Sequence, residues 1–238
     1  MTPRAIFFDM DDTLLDGVAA MTVSWETVCQ EYAPRIGCED AEALRLAIRK
    51  SGADFWRDEA AVGHWRLDLD EARAIVVTNA LAAGGWDCSL ARDMALEYGR
   101  RHTEHLEPFE DAHETLHALR AAGYKLAMIT NGNGVPQRAK IDRHDFARHM
   151  DAIVIEGEFG KGKPEREVFE HALAATAVRP EEAWHIGDNL YADVAGAQSA
   201  GIHAVWIHRE RLELNYNGST VKPDRIIAHL SDLRPILL

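Results

Sequence analysis

Side chains that can bind a cation or attack an electrophile occur in four short stretches of this 238-residue sequence. They are Asp9 and Asp11, Thr130 and Asn131, Lys163, and Asp188 and Asp193. Paired carboxylates are suited to nucleophilic and general acid–base catalysis, and carboxylate oxygens are the ligands that Mg²⁺ prefers. A lysine beside such carboxylates can neutralise negative charge on the nucleophile and on the substrate. These residue types therefore indicate chemistry on an anionic substrate with the help of a divalent cation.

The stretches lie at or after the ends of short apolar runs that are typical of β-strands. Six such runs occur, at Ala5–Phe8, Lys125–Thr130, Ala152–Ile155, Ala183–Ile186, His203–Ile207 and Arg225–Ile227. Their apolar residues are continuous rather than alternating, as expected for strands that are covered on both faces. Helical patterns over 112–122, 165–177 and 191–200 lie between them, and this alternation predicts an α/β fold with a doubly wound parallel sheet. Active sites of such sheets lie beyond the carboxyl ends of the strands, so we expect the polar residues to converge there.

The chain between the first and second predicted strands is too long to be an ordinary connection. It contains no convincing strand but four helical patterns, at 21–32, 41–50, 70–83 and 90–105. We therefore predict a separate helical domain at 17–106, inserted into a core domain that is formed by 1–16 and 107–238.

The overall composition is that of an acidic globular protein. Asp and Glu number 39 against 26 Lys and Arg, which gives a formal net charge of −13. Nucleic acids and anionic membranes are bound through basic patches, so neither is an expected partner. The three cysteines are too few and too scattered for a disulfide framework, and no apolar run is as long as a signal-peptide core or a membrane span. We expect a cytoplasmic protein that is a monomer or a homodimer.

The order and spacing of the four stretches are similar to those of the haloacid dehalogenase-like (HAD) hydrolase superfamily, over essentially the full chain. Asp9-Met10-Asp11-Asp12-Thr13 resembles its first motif, DxDxT, and Ile129-Thr130-Asn131 resembles the second. Lys163-Pro164 resembles the third motif, and the segment from Gly187 to Asp193 resembles the fourth, GDxxxxD. The helical insertion directly after the first motif resembles the first-type (C1) cap domain of that superfamily.

The resemblance implies a Rossmann-like core and a reaction in which Asp9 becomes an aspartyl-phosphate intermediate. It implies that Asp11 protonates the leaving alcohol and later activates the water that frees Asp9. The backbone carbonyl of Asp11 would join Asp9 and Asp188 as ligands of Mg²⁺. Asp193 would hold a metal-bound water or orient Asp188. Lys163 would neutralise the nucleophile and the phosphate.

The same resemblance assigns phosphate binding to the Thr130 hydroxyl and to the backbone N–H groups around Asn131 and Gly132. Asp11 favours a phosphate ester over a carbon–halogen bond as the substrate, because a halide leaving group needs no proton. The expected activity is Mg²⁺-dependent hydrolysis of a phosphomonoester, with a small phosphorylated metabolite as the partner. The second motif and the cap length resemble nucleotide- or flavin-phosphate phosphatases more than sugar phosphomutases.

Three other functions are alternatives. A phosphosugar mutase of the same superfamily needs the same motifs, but its product is an isomeric phosphosugar instead of inorganic phosphate. The segment from His113 to His117 spells HExxH, a zinc signature of metallopeptidases, although an exposed helix face explains the same spacing. The third alternative, a binding module without activity, has no need of an acid–base carboxylate at Asp11.

Overall fold

A computed structural model describes residues 3–57, 63–209 and 220–238 of the chain, and these residues form two units. One unit comprises Met1–Asp16 and Pro108–Leu238, and the other comprises Gly17–Glu107. Each unit has a hydrophobic core of its own. Within the described ranges, no helix combines the length and the apolar character that are needed to cross a membrane.

The Gly17–Glu107 unit is built from helices. Its longer helices in the described ranges are α1 (Gly17–Tyr32), α2 (Ala41–Phe55), α3 (Leu69–Gly84) and α4 (Ala91–His105). The carboxylate of Asp40 starts α2 by accepting hydrogen bonds from two backbone N–H groups of its first turn, and Asp68 caps α3 through one. Trp25 of α1 stacks on Tyr98 of α4 with ring centroids 3.9 Å apart, so these two helices pack against each other.

The other unit is organised around a six-stranded sheet. Its strands are β1 (Ala5–Phe8), β2 (Lys125–Thr130), β3 (Ala152–Ile155), β4 (Ala183–Gly187), β5 (His203–Ile207) and β6 (Arg225–Ile227). All pairings are parallel and the order is β3-β2-β1-β4-β5-β6, which confirms the predicted doubly wound sheet. The strand order reverses beside β1, with β2 on one side and β4 on the other. In such sheets, ligands bind in the crevice outside the carboxyl ends of the strands at this reversal.

Both faces of the sheet are covered. Ile6 and Phe7 point to opposite faces, and neither is exposed to solvent. The α-helices of this unit within the described residues are α5 (Ala112–Ala121), α6 (Gly134–Arg143), α7 (Glu156–Phe159), α8 (Arg166–Thr176), α9 (Gly196–Ser199) and α10 (Arg234–Leu237). Val168 and Phe169 of α8 belong to the same core cluster as Phe7. Burial of each such side chain stabilises the fold by about 1.5–3 kcal/mol.

Two helical elements differ from the sequence-based expectation. The helix α6 was not predicted, because its buried residues Gln137 and Ile141 form no apolar stripe; it begins where the side chain of Asn133 accepts a backbone N–H. The helix expected over 191–200 is divided into a π-helix at Leu190–Ala195 and the short α9. Single π-helical segments occur frequently at functional sites.

Candidate active site

Asp9 and Asp188 follow neighbouring strands of the sheet. Asp9 comes directly after β1 and Asp188 directly after β4, and these strands are in register at Phe8 and Ile186. The backbone N–H of Asp9 donates to the carbonyl of Ile186 at 2.9 Å, which extends the pairing to the strand end. The sheet itself therefore brings the two carboxylates together.

Asp193 completes a carboxylate cluster with Asp9 and Asp188. Each residue supplies one oxygen, and the three oxygens lie within 4.8 Å of one another. Asp193 lies in the π-helix and approaches the end of β4 closely. A Cβ at Gly187 would lie 2.2 Å from the carboxyl carbon of Asp193, so only glycine fits at that strand end.

Lys163 lies in the connection between α7 and α8 and is almost fully buried, with 2% of its surface exposed. Its ammonium donates to Oδ1 of Asp9 at 2.5 Å and to Oδ1 of Asp193 at 2.7 Å. Burial opposes the charge of Lys163, but Asp193 and Asp9 hold its pKa above the ordinary value. The lysine is therefore a fixed positive charge against the carboxylate cluster.

The three carboxylates differ in acidity because their surroundings differ. Burial raises the pKa of Asp9 to about 7, and the attraction of Lys163 offsets only part of this effect. Burial and the neighbouring Asp9 raise the pKa of Asp188 well above its ordinary value. Burial acts on Asp193 in the same direction, but Lys163 and His185 hold the pKa of Asp193 below its ordinary value.

His185 supports Asp193 from β4. Its Nε2 lies 2.9 Å from Oδ1 of Asp193, and its ring contacts Phe169 edge to face. Burial lowers the pKa of His185. Its Nε2–H is the donor in this contact, because a carboxylate only accepts hydrogen bonds. The sequence analysis did not single out His185, because a histidine within an apolar strand shows no local sign of its partner.

The carboxylate cluster fits a hard divalent cation. Asp9, Asp188 and Asp193 offer oxygen donors, which are the ligands of Mg²⁺. Lys163 balances one of their negative charges, so a dication would compensate the other two.

The loop after β2 is tied to Lys163 by Asn131. The side chain of Asn131 donates from Nδ2 to the carbonyl of Lys163 at 2.8 Å, and its Oδ1 accepts the N–H of Lys163 at 2.7 Å. Because both polar atoms of its side chain bond to Lys163, the backbone N–H of Asn131 is the group that we predict to bind the phosphate. The N–H of Gly132 donates to Oε2 of Glu156 at 2.9 Å, so this N–H would have to leave Glu156 before it could bind the phosphate as predicted.

The carboxylate of Asp11 faces α6 and is not a member of the carboxylate cluster. Its oxygens lie 2.8 and 3.0 Å from Nζ of Lys140, and Nε2 of Gln137 donates to Oδ2 at 2.9 Å. The same Gln137 amide nitrogen lies 2.7 Å from the hydroxyl oxygen of Thr130. Neither α6 residue was identified from the sequence, because the helix that carries them was not predicted.

Within the described residues, the side chains that lie close enough together to hold a metal ion are those of the carboxylate cluster. The HExxH segment forms no such group there. Nδ1 of His113 contacts Nε2 of His149 at 3.3 Å instead of sharing a ligand position with His117. Glu114 pairs with Arg234 at 2.6 Å. The structure therefore gives the zinc metallopeptidase alternative no support.

The chain is similar to known proteins both in sequence and in fold. The sequence model of a hydrolase family, described as haloacid dehalogenase-like hydrolase, matches residues 3–201. The chain is 30% identical to the phosphoserine phosphatase of Thermus thermophilus, over 99% of this chain and 98% of that protein. It is 29% identical to the glyceraldehyde 3-phosphate phosphatase of Pyrococcus furiosus, over 98% and 92% of the two chains. The fold is similar to that of YfnB, a HAD-hydrolase of Bacillus subtilis solved with bound magnesium, with a TM-score of 0.79, 21% identity, and 100% and 99% of the chains covered.

Proposed function

The chain belongs to the haloacid dehalogenase-like hydrolase family and is a phosphatase, and from this premise we propose that it hydrolyses phosphomonoesters with Mg²⁺ and with Asp9 as nucleophile. The observation that carries the proposal is the carboxylate of Asp9, which lies 2.5 Å from the ammonium of Lys163 within the carboxylate cluster. A phosphate dianion approaching Asp9 is repelled by about 4 kcal/mol for each pair of unit charges at about 4 Å and an effective dielectric of about 20. Lys163 and a divalent cation would offset this repulsion.

The proposed reaction has two steps. A carboxylate oxygen of Asp9 forms a bond to phosphorus while the bond from phosphorus to the ester oxygen breaks, and the protonated carboxyl group of Asp11 gives its proton to the ester oxygen. Water then attacks the phosphorus of the aspartyl-phosphate, and Asp11 takes a proton from the water. Inorganic phosphate leaves and the carboxylate of Asp9 is restored.

The other site residues bind and orient. Thr130 and the backbone N–H of Asn131 hold the phosphate, and Lys163 neutralises it together with the nucleophile. Asp9, Asp188 and the backbone carbonyl of Asp11 would hold Mg²⁺, with Asp193 as a further carboxylate of the cluster or through a water. When bound, Mg²⁺ supplies positive charge to the phosphoryl oxygens.

The substrate class follows from the relatives rather than from the site. The two phosphatases described above are named for phosphoserine and glyceraldehyde 3-phosphate, which are both small phosphorylated metabolites. The helical unit would act as the cap that selects among such substrates and excludes water when it closes. A substrate panel should also contain nucleotide and flavin phosphates, which the second motif suggested.

Replacement of the nucleophile tests the proposal. Asp9→Asn keeps the size of the side chain and removes its charge, so we expect phosphate release from p-nitrophenyl phosphate in Mg²⁺ to fall by about a thousandfold or more. In the wild-type protein, acid quenching during turnover should trap a phosphorylated Asp9 peptide that mass spectrometry detects.

Asp145→Asn is the matched control, because Asp145 is exposed and has a φ of 52°, a conformation that Asn tolerates. It should keep wild-type turnover. Wild-type turnover in Asp9→Asn would refute the nucleophile assignment. With a phosphosugar as the substrate, an isomeric phosphosugar as the product in place of free phosphate would make the protein a mutase.

A further inference from the structure

Two polar side chains on one face of α6 hold the carboxylate of Asp11. Gln137 and Lys140 are three residues apart, so they are neighbours on the helix surface. Nε2 of Gln137 lies 2.9 Å from Oδ2 of Asp11, and Nζ of Lys140 lies 2.8 Å from Oδ1 and 3.0 Å from Oδ2. Both oxygens of Asp11 are therefore bound by groups of one helix.

Gln137 also connects Asp11 to the loop that follows β2. Its amide nitrogen lies 2.7 Å from the hydroxyl oxygen of Thr130 and 2.9 Å from the carbonyl oxygen of Asn131. A carboxylate and a carbonyl only accept hydrogen bonds, so the amide nitrogen of Gln137 must face them. The side chain of Gln137 is buried. One buried amide thus fixes Asp11 relative to the predicted phosphate ligand Thr130.

Lys140 differs from Arg138, which is another cation of α6. The side chain of Lys140 is 18% exposed and its partner is Asp11, whereas that of Arg138 is 42% exposed and pairs with Glu158. The side chain of Asp11 is itself 39% exposed, so solvent does not by itself fix the direction of its carboxylate. An ammonium that contacts both oxygens restricts the rotation of that carboxylate.

We propose that Gln137 and Lys140 are positioning residues that orient the carboxyl group of Asp11, which gives its proton to the leaving alcohol and becomes the carboxylate that both residues hold. The inference rests on the proposed function, in which Asp11 is the general acid. Proton transfer requires the acid within hydrogen-bond reach of the ester oxygen, and a misplacement of about 1 Å can lower a rate by about a hundredfold. The polar face of α6 supplies that placement and links it to the phosphate through Thr130.

The leaving group gives a readout that a purely structural role would not change. p-Nitrophenolate leaves without a proton, whereas the alkoxide of an alkyl phosphate needs one. We expect Lys140→Met to lower kcat/KM for glycerol 2-phosphate by about tenfold or more, but for p-nitrophenyl phosphate by less than about threefold. The ratio kcat/KM is the proper quantity, because it reports the steps up to departure of the leaving group.

Three further variants sharpen the test. Arg138→Gln is the matched control, because it removes an ion-paired cation from α6 that bonds to Glu158 at 2.7 and 2.6 Å, and it should leave kcat/KM for both substrates unchanged. Lys140→Arg should restore most of the activity on glycerol 2-phosphate, because a guanidinium can bond both carboxylate oxygens. Gln137→Met should also lower kcat/KM more for glycerol 2-phosphate than for p-nitrophenyl phosphate, with an added loss common to both substrates, because Gln137 contacts the predicted phosphate ligand Thr130 as well.

The inference is overturned if Lys140→Met lowers kcat/KM equally for both substrates, or leaves the value for glycerol 2-phosphate unchanged. Asp11→Asn distinguishes this failure from that of the proposed function. If Asp11→Asn shows the leaving-group dependence and Lys140→Met does not, only the positioning role falls. If Asp11→Asn lacks the dependence, the general-acid role and the inference fall together. In the double variant, Lys140→Met should add no loss to Asp11→Asn, because a positioning residue acts only through its partner.

Discussion

Lys163 determines whether two buried carboxylates can stay ionised next to each other. Its ammonium is the hydrogen-bond donor shared by Asp9 and Asp193, and all three side chains are nearly inaccessible to solvent. A buried ion pair adds little net stability, but removal of one partner leaves a charge without compensation. The lysine therefore has a structural role that is separable from its proposed role toward phosphate.

We expect Lys163→Met to lower the free energy of unfolding of the metal-free protein by about 3–5 kcal/mol. Urea unfolding followed by circular dichroism measures this change. Lys161→Met is the control, because Lys161 is an exposed lysine that pairs with Glu167, and its effect should stay below about 1 kcal/mol. Equal stability of Lys163→Met and the wild type would show that the buried carboxylates do not depend on the ammonium.

At the scale of the elements, the strands were predictable from the sequence and the helix that holds Asp11 was not. Ala5–Phe8 and Lys125–Thr130 are continuous apolar runs that become buried strands, because a parallel sheet covered on both faces requires such runs. In α6, by contrast, Gln137 and Lys140 are polar, and their partner Asp11 lies 126 and 129 positions away along the chain. Local periodicity contains no record of a contact at that separation.

The same distinction separates the parts of the site that were predicted from those that were missed. Motif spacing placed Asp9 and Asp188 after strands, and the sheet order then makes those strands neighbours. The hydrogen bond of His185 to Asp193 and the capture of the Gly132 N–H by Glu156 depend on side-chain packing. Such contacts are found only in three dimensions.

His113 of α5 and the neighbouring His149 form a pair that makes the stability of the fold depend on pH. Nδ1 of His113 lies 3.3 Å from Nε2 of His149, which also accepts a hydrogen bond from Arg148. Burial lowers the pKa of both histidines, with a further contribution from the charge of Arg148. The unfolded chain binds protons near the ordinary pKa of about 6.5, whereas the folded chain resists protonation. Stability that is present above this pH is therefore lost as the pH falls below it.

We expect the contribution of each of these two histidines to the free energy of unfolding to fall between about pH 7 and pH 5, with a slope of at most about 1.4 kcal/mol per pH unit. His149→Gln should flatten this slope, because it removes one titrating group. His171→Gln, on the exposed side of α8, is the control for a histidine outside the pair. A slope that His149→Gln leaves unchanged would contradict the assignment.

At the scale of the whole molecule, an acidic chain is proposed to bind an anionic substrate. Its formal net charge is −13, but repulsion between exposed charges is screened beyond about 10 Å at about 0.1 M salt. Attraction must therefore come from positive charge inside the site, at Lys163 and at a bound dication. Burial and the charge of Asp9 raise the pKa of Asp188, so the metal-free carboxylate cluster is an unfavourable arrangement. A bound dication would relieve it.

Cation binding should consequently be visible in the thermal stability of the whole protein. We expect Mg²⁺ to raise Tm, with a stabilisation of about 2.7 kcal/mol at a free concentration about one hundred times Kd. Asp188→Asn should act in opposite directions on the two forms, because the folded state disfavours ionisation of Asp188 when no cation is bound. In EDTA this variant should unfold at a higher Tm than the wild type, and in Mg²⁺ it should show little further increase.

Scanning fluorimetry in EDTA and across a Mg²⁺ titration measures both effects, and Asp145→Asn should behave as the wild type in each. A full Mg²⁺ response in Asp188→Asn would place the cation away from the carboxylate cluster. A lower Tm in EDTA would show that Asp188 stabilises the metal-free fold. Like-charge repulsion would then not be the reason that the cluster needs a cation, and the positive charge supplied by Lys163 would be sufficient for the folded state.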